Sequence, residues 1–357
     1  MTVGLGDAEK AEWIALARAS SVGPVTFFQL VNQHGSPREA IRARASLGAD
    51  IDAAKKELEH TRLLGGDMIC SCETGYPAAL SPLSPPPPVL SVRGDTDLLA
   101  RPAIAIVGAR DASAAGRKMA QLIAAGLAEA GLVTVSGLAR GIDGEAHAAS
   151  LETGTIAVLA GGIDQIYPPQ HRDLYEQICE RGLIVSERAL GHRATARDFP
   201  RRNRIITGLA VGTVVVEAAE RSGSLISARM ASEQGREVMA VPGSPLDPRA
   251  SGTNRLLRNG VTLVRHAADV MEAVSAQIEQ PDLFHSSPSA PAVEETDLPD
   301  LSALMSRVFE ALSPTPMPIE DIARASKCTA RQCASALMEL ELTGRAITHA
   351  GGLAARA

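Results

Sequence analysis

Three arginines and an amide lie together at the start of the segment RRNRIITGLA (201–210), just after Phe199. A guanidinium group offers five N–H donors in a planar fork that fits a phosphate, and a phenyl ring gives a nucleic-acid base a face to stack on. The spacing therefore predicts a phosphate-binding helix start. Its expected ligands are Arg201, Arg202, Asn203 and Arg204, with bracing of the helix as the alternative for Asn203 and Arg204.

The charge around this segment contrasts with that of the whole chain. Residues 193–204 contain five arginines against one acid, Asp198, whereas the 357-residue chain has a formal net charge of −6. A polyanion must therefore meet a local basic patch rather than a positive field of the whole protein. The chain has five Phe, three Tyr and one Trp, so base stacking is sparse. Binding should depend mainly on backbone phosphate and little on base sequence.

Short apolar runs rich in Val and Ile alternate with amphipathic stretches from Ala103 onward, for example IAIVG, TIAVLAGG and TVVVEA. Strands that are apolar on both faces and alternate with helices indicate a parallel sheet covered on both sides. Residues 103–278 are thus predicted to form an α/β domain with an extended Rossmann-like, doubly wound, mostly parallel sheet. Ligands of such sheets bind at the carboxyl ends of the strands.

Three loops of this domain should meet at that edge, because each follows a predicted strand. Amides and hydroxyls at a helix start can bind phosphate, although they also form ordinary helix caps. Convergence of the loops on the arginines favours an extended phosphate chain over one small metabolite. The candidate ligands in the loops are Gly108, Ser113, Arg140, Ser222, Gly223 and Ser224.

Several enzyme classes lack their signatures in this chain. It has neither the GxGxxG loop of dinucleotide enzymes nor a GxxxxGK[ST] loop, and AGGIDQIY lacks the Thr and Glu of a PGGxGTxxE phosphoribohydrolase loop. Asp143 is expected to cap its helix by accepting backbone N–H bonds, and His147 is expected to pack beneath the loop. The five scattered cysteines are expected to stay reduced. No catalytic residue, metal or cofactor is predicted. A Rossmann-like nucleotide or phosphoribosyl hydrolase is the alternative.

The segments that flank the α/β domain are assigned by pattern. The Gly23-Pro24 turn joins two predicted helices and either connects them or holds a phosphate. A proline run at 85–88 argues against a helix or a central strand there. The predicted divisions are a helical domain of the sterile-alpha-motif or helix-hairpin-helix kind (1–64), a connector with one extended segment (65–102), a flexible linker (279–300) and a winged-helix-like domain (301–357).

A winged-helix DNA-binding regulator is a second alternative function. Its predicted recognition helix carries Arg331, but the acids Glu339 and Glu341 favour a packing or protein-binding role. The N-terminus lacks the features of a signal peptide, and no apolar run is long enough to span a membrane. The protein is therefore expected in the cytoplasm, without a membrane partner.

Residues 103–270 resemble the DNA-processing protein A family (DprA, also called Smf). The matching stretches include IAIVGAR, SGLARGIDGEAH, TIAVLAGGID, FPRRNRIITGLA, VVVEA, SGSLISA and QGREVMAVPG. The resemblance implies a non-catalytic protein of natural transformation and recombination. Such proteins bind and protect single-stranded DNA, help load the RecA recombinase onto it, and typically form homodimers.

The resemblance also implies DNA-binding positions. By position, they are Arg110, residues 199–204 and residues 222–224. Ala109 departs from the family pattern, because it stands where a hydroxyl residue is common and so removes one possible phosphate donor. Upstream of Phe199, where some relatives have a lysine, this chain has Ala196-Arg197, which indicates Arg197 as the source of that charge.

Overall fold

The computed structural model describes residues 4–279, 301–329, 332–334, 336–337, 340, 345–349 and 352–356. Two compact units divide the chain, Met1–His285 and Ser286–Ala357. In the described part, every helix is too short or too polar to cross a lipid bilayer.

The first unit opens with a group of short helices. They are α1 (Asp7–Arg18), α2 (Pro24–His34), α3 (Pro37–Ala43) and α4 (Ile51–Leu63). Side chains cap two of them, because Ser36 Oγ accepts from Glu39 N and Asp50 Oδ1 accepts from Ala53 N. The predicted helical domain is thus present. Its small core includes Trp13 and Phe27, whose ring centroids lie 5.2 Å apart.

A nine-stranded sheet forms the centre of the first unit. Its strands are β1 (Gly66–Cys70), β2 (Val89–Gly94), β3 (Ala103–Val107), β4 (Val133–Ser136), β5 (Thr155–Val158), β6 (Leu183–Ser186), β7 (Gly212–Val215), β8 (Glu237–Ala240) and β9 (Thr262–Leu263). The order is β1-β2-β6-β5-β4-β3-β7-β8-β9, and the strands from β6 across to β9 run parallel. The predicted doubly wound, mostly parallel sheet is confirmed.

Helices pack on both faces of this sheet. They are α5 (Ala114–Glu129), α6 (Ile142–Ser150), α7 (Arg172–Arg181), α8 (Asp198–Leu209), α9 (Gly223–Glu233), α10 (Ser251–Arg258) and α11 (Ala267–Glu279). Because side chains of a strand alternate between faces, Ile104 of β3 packs in the layer of α5 and α11, and Ala105 packs in that of α8. Burial of an isoleucine stabilises the fold by about 1.5–3 kcal/mol.

Residues 65–102 differ from the prediction of a connector with one extended segment. β1 and β2 pair antiparallel with each other, and β2 pairs antiparallel with β6. The proline run at 85–88 lies before β2, so it removes no donor from that strand. Met68 of β1 packs in the core formed with α1 and α4. The connector prediction is therefore wrong, because this stretch extends the sheet and joins it to the helical domain.

The second unit combines helices with a small antiparallel sheet. Its elements are α12 (Leu301–Ala311), β10 (Met317–Pro318), α13 (Ile319–Ala325), β11 (Ala346–His349) and β12 (Leu353–Arg356). The strand order is β10-β12-β11. Helices followed by a β-hairpin fit the predicted winged-helix domain. The predicted linker from residue 280 onward and the recognition-helix residues Arg331, Glu339 and Glu341 lie outside the described residues.

Candidate nucleic-acid interface

A crevice opens at the carboxyl ends of the strands, where the strand order reverses. β3 and β7 are neighbours, but the chain continues from β3 to one side of the sheet and from β7 to the other. Loops that leave such a switch point in opposite directions create a ligand-binding crevice. Two cavities share Arg110 and Phe199 here, and the one nearer β7 measures about 220 Å³. We call them together the sheet-edge crevice; its lining includes Gly108, Arg140, Gln165, Tyr167, Asn203 and Gly223.

The predicted meeting of the three loops with the start of α8 is confirmed by this lining. The loops after β3, β4 and β7 each contribute residues, and α8 contributes Phe199 and Asn203. Sequence reasoning did not identify Gln165 and Tyr167. The aromatic ring in DQIYPP was the available signal, because stacking side chains are rare in this chain.

Phe199 lies at the centre of the sheet-edge crevice, between a cation and a second ring. The Arg110 Cζ atom lies 4.8 Å from the centroid of the Phe199 ring, and the Tyr167 ring lies 6.2 Å from it at an angle of 61°. Arg110, Arg140 and Tyr167 are exposed. Aromatic faces beside guanidinium groups can hold bases and phosphates together. This part of the crevice therefore has the chemistry that a nucleic-acid strand requires.

Arg202 is placed differently from the prediction. Only 6% of the residue is exposed, and its Nη1 donates to the carbonyl oxygens of Gly137 at 2.6 Å and Val158 at 2.8 Å. Burial lowers the pKa of Arg202 to about 10, although the charge of Asp143 opposes that shift. Both hydrogen bonds come from Nη1, so the guanidinium that the sequence predicts as a phosphate ligand is engaged with the backbone, although Arg202 also borders both cavities of the sheet-edge crevice. Arg202 instead holds α8 against the ends of β4 and β5.

Asp143 supports the loop after β4 from below. Its Oδ2 accepts from Gly137 N at 3.1 Å and from Ala139 N at 3.4 Å. Burial raises the pKa of Asp143, while the charge of Arg202 and these hydrogen bonds act in the opposite direction. The carboxyl group thus accepts backbone N–H bonds, as predicted, but from the loop before α6; it does not cap that helix, whose N-cap is Gly141.

His147 packs beneath the same loop, also as predicted. Its Nε2 accepts from Leu138 N at 3.3 Å, and its Nδ1 lies 2.7 Å from Thr155 Oγ1. Since that hydroxyl donates to Thr134 O, the His147 ring must carry its proton on Nδ1. Burial lowers the pKa of His147 to about 3. The ring is therefore neutral in the folded protein.

This neutral histidine makes stability depend on pH. The pKa of His147 is about 3 when folded and about 6.5 when unfolded, so the unfolded state binds more protons below pH 6.5. The contribution of the neutral His147 ring to the free energy of unfolding is complete above pH 6.5. Below that pH it decreases by about 1.4 kcal/mol for each pH unit. We expect urea unfolding to show a loss of about 2 kcal/mol between pH 7 and pH 5. In His147→Gln that difference should shrink, and an undiminished difference contradicts this origin.

A buried carboxylate fixes the loop that precedes α8. Asp198 accepts from His192 Nε2 at 3.0 Å, from Thr195 N and Oγ1 at 2.8 and 2.7 Å, and from Arg188. Burial alone raises the pKa of Asp198, but the hydrogen bonds from His192 and Thr195 and the charge of Arg188 hold it well below its usual range. The loop therefore has a defined shape. It presents two of the predicted cationic residues to solvent, Arg193 and Arg197.

The predicted serine ligands are occupied within the chain. Ser113 Oγ donates to Glu217 Oε1 at 2.5 Å, and Ser113 N donates to Glu217 Oε2 at 2.9 Å. Ser224 Oγ donates to Gly108 O at 2.8 Å, and Ser222 caps α9. The Glu217 carboxylate thus takes the place at the start of α5 where the sequence predicts a phosphate. Ser113 and Ser222 act as ordinary caps in this structure, and Ser224 ties α9 to the loop after β3.

The four residues of the RRNR segment divide between two sides of α8. Asn203 borders the sheet-edge crevice together with Phe199, whereas Arg201 and Arg204 line a separate cleft. Arg204 pairs with Glu187 and donates to Pro85 O at 3.2 Å, which confirms the bracing alternative for Arg204. The sequence cannot separate these roles, because it does not show what packs on each side of the helix.

Metal chemistry has no candidate site in the described part of the chain. No group of three or more His, Cys, Asp or Glu side chains that could hold a metal ion occurs there. Asp143 and His147 face the loop after β4 and are satisfied by it. The sheet-edge crevice therefore offers cations, amides and ring faces as its binding groups.

Fold and crevice together define a Rossmann-like protein with a cationic, aromatic sheet edge. Three family models match the chain: DNA recombination-mediator protein A over residues 67–275, the DprA-like N-terminal HHH domain over 7–56, and the DprA winged helix domain over 290–352. The chain belongs to the DNA recombination-mediator protein A family, also known as DprA or Smf. This result confirms the family resemblance seen in the sequence.

Relatives cover most of the chain. Protein Smf of Escherichia coli is 37% identical over 78% of this chain and 74% of its own length. DNA processing protein DprA of Streptococcus pneumoniae is 41% identical over 62% of this chain and 78% of its own length. The X-ray structure of the latter matches with a TM-score of 0.61 and 33% identity over 75% of this chain and 93% of that one. A structure of DNA processing protein A from Helicobacter pylori, described by its single-stranded DNA binding mode, matches with a TM-score of 0.55 and 28% identity. The match covers 59% of this chain and 96% of that one.

Proposed function

We propose that this chain binds single-stranded DNA in the sheet-edge crevice as part of DNA processing in natural transformation. The observation that carries this proposal is the stack of Arg110 on Phe199, with Arg140 exposed beside it. Neither arginine forms an ion pair within the described part of the chain. Both charges are therefore available to phosphate, and the ring is available to a base.

A strand suits the crevice better than a free nucleotide does. In nucleotide-binding sheets the phosphate lies at the first helix start of the domain, but here the Glu217 carboxylate occupies that position. The cations lie instead on separate loops along the edge, in the manner of a groove that follows a phosphate backbone. We accordingly propose a binding protein and not an enzyme. The buried Asp143 and His147 hold the loop and are engaged by it.

Further steps follow from family membership and are part of the proposal. Protection of incoming DNA and its transfer to the RecA recombinase would require a protein that covers the strand without reading its bases. Contacts to phosphate and one or two stacked rings meet that requirement, because they are independent of sequence. We propose that the protein acts as a homodimer, which would place two sheet-edge crevices on one strand. A duplex-binding winged-helix regulator is the competing function.

Comparison of single-stranded and duplex DNA of equal length tests the proposal. We expect the full chain to bind a mixed-sequence single strand at least tenfold more tightly than the duplex, with steep salt dependence. Incubation with ATP or nucleoside monophosphates, with and without magnesium, should release no product. Preference for one duplex sequence would favour the regulator. Steady turnover that a crevice substitution abolishes would favour the hydrolase.

A further inference from the structure

A second cleft lies between the helical domain and α8, on the other side of that helix from Phe199. It measures about 660 Å³. One wall is the turn between α1 and α2 together with the start of α2, including Ser21, Gly23 and Val25. The other wall is formed by the loop after β6 and by α8. We call it the hairpin cleft. Its ionisable lining residues are Arg18, Glu187, Arg188, His192, Arg201 and Arg204.

The charge balance of the hairpin cleft favours an anion. Four arginines line it against a single acid, Glu187. Arg18, Arg188 and Arg204 are paired with carboxylates, but those pairs use only one to three of the five N–H donors on each group. Arg201 is exposed, and its side chain forms no ion pair or hydrogen bond with the described residues. Donors and at least one uncompensated charge therefore remain for a ligand.

The opposite wall adds neutral donors. Ser20, Ser21 and Gly23 are exposed, and the N-cap of α2, Gly23, makes no side-chain capping hydrogen bond. Pro24 has no N–H, so the amides left without a capping side chain are those of Val25 and Thr26. These amides alone would not define a site. They complete one in which the charge comes from α8 and from the loop after β6.

The hairpin cleft and the sheet-edge crevice are separated by one helix. Phe199 and Arg201 are two residues apart, and α8 is about 10 Å across with its side chains. Successive phosphates on each strand of duplex DNA are roughly 3.4 Å apart along the axis, and an unstacked single strand spaces its phosphates at least that widely. A strand stacked on Phe199 could therefore reach Arg201 on the far side of α8 within roughly three nucleotides. A polymer can span the distance that a single nucleotide cannot.

We propose that the hairpin cleft is a second phosphate-binding segment for the same single strand. The DNA leaves the sheet-edge crevice, crosses the first turn of α8 at Arg201 and continues between that helix and the α1–α2 turn. The helical domain thereby becomes part of the DNA-binding surface. This inference rests on the proposed function, since the sheet-edge crevice must hold the strand first.

Strand length separates the two sites experimentally. A thymidine oligomer of about 4 nucleotides should occupy the sheet-edge crevice alone, and one of about 20 should fill both sites. Arg201→Ala removes the free charge from one wall, and Ser21→Glu places a carboxylate on the other at an exposed position. Arg229→Ala is the matched control, because it removes an exposed arginine of α9 that lines neither site. Melting temperatures check that each variant is folded.

The expected result has a clear pattern. Arg201→Ala and Ser21→Glu should each weaken binding of the long oligomer about tenfold, and Arg201→Ala should reduce the slope of log affinity against log salt by about 0.7. Binding of the short oligomer, and of both oligomers to Arg229→Ala, should stay within about twofold of the original protein.

Four outcomes would overturn the inference. If both variants bind the long oligomer normally, the hairpin cleft does not hold DNA. If Arg201→Ala weakens both oligomers equally, Arg201 belongs to the sheet-edge crevice. If the original protein binds both oligomers with equal affinity, the second segment is absent while the proposed function stands. Failure to bind either oligomer would refute the proposed function and the inference together.

Discussion

Replacement of Gly137 by alanine is expected to destabilise the protein by about 3–5 kcal/mol. A Cβ atom at this position would overlap with the guanidinium of Arg202, so the arginine would have to leave its buried site. The carbonyl oxygens of Gly137 and Val158 would then lose their donor, and the buried Asp143 would lose the nearby positive charge. Urea unfolding at pH 7 measures the loss.

A double-mutant cycle identifies Arg202 as the cause. In Arg202→Ala the space beside residue 137 is empty, so the further change of Gly137 to alanine should cost much less than it does in the original protein. Gly223→Ala is the control on the same edge, because a Cβ atom at that position would have no neighbouring atom within 4 Å and its stability should change by less than about 0.5 kcal/mol. Additive effects of Gly137→Ala and Arg202→Ala would show that the loop, and not the arginine, is the sensitive element.

The architecture of the α/β domain could be predicted because its signals are local. Apolar runs such as IAIVG become strands buried on both faces, and the rule that ligands bind at the carboxyl ends of strands led to the correct edge of the sheet. The same rule predicted that three loops would meet there. Between residues 65 and 102 the sequence predicts one extended segment, whereas the structure has two strands, because the pairing of β1 with β2 and of β2 with β6 is a tertiary contact that the sequence does not show.

The roles of single side chains could not be predicted in the same way. Arg201 and Arg202 are adjacent in sequence and chemically identical, yet Arg201 is exposed to solvent, whereas Arg202 is buried and only 6% exposed. Their difference arises from Gly137, which lies 65 residues away in the chain and leaves room for one guanidinium. Likewise, Glu217 lies at the start of α5 because the fold brings it to Ser113. The Arg202–Gly137 and Glu217–Ser113 contacts join residues that are far apart in the chain, so a single sequence does not reveal them.

Removal of both Arg110 and Phe199 should have the largest effect on DNA binding. Arg110→Ala alone should weaken single-strand binding by about 1.5–3 kcal/mol and reduce the slope of log affinity against log salt by about 0.7. Phe199→Ala should cost about 1–3 kcal/mol through loss of a stacked base, with almost no change in slope. The double variant should lose less than the sum, because the Arg110 guanidinium rests on the Phe199 ring.

These changes separate DNA contact from structural support. Arg110 is exposed and Phe199 is partly exposed, so the melting temperatures of their variants should stay near that of the original protein. Arg202→Ala should show the opposite pattern, since its buried hydrogen bonds support α8: a clear loss of stability, with an unchanged salt slope for the folded fraction. Salt-dependent binding of one mixed-sequence strand to all four variants decides between these roles. Full affinity and an unchanged slope in Arg110→Ala would show that the phosphate chain does not pass through the sheet-edge crevice.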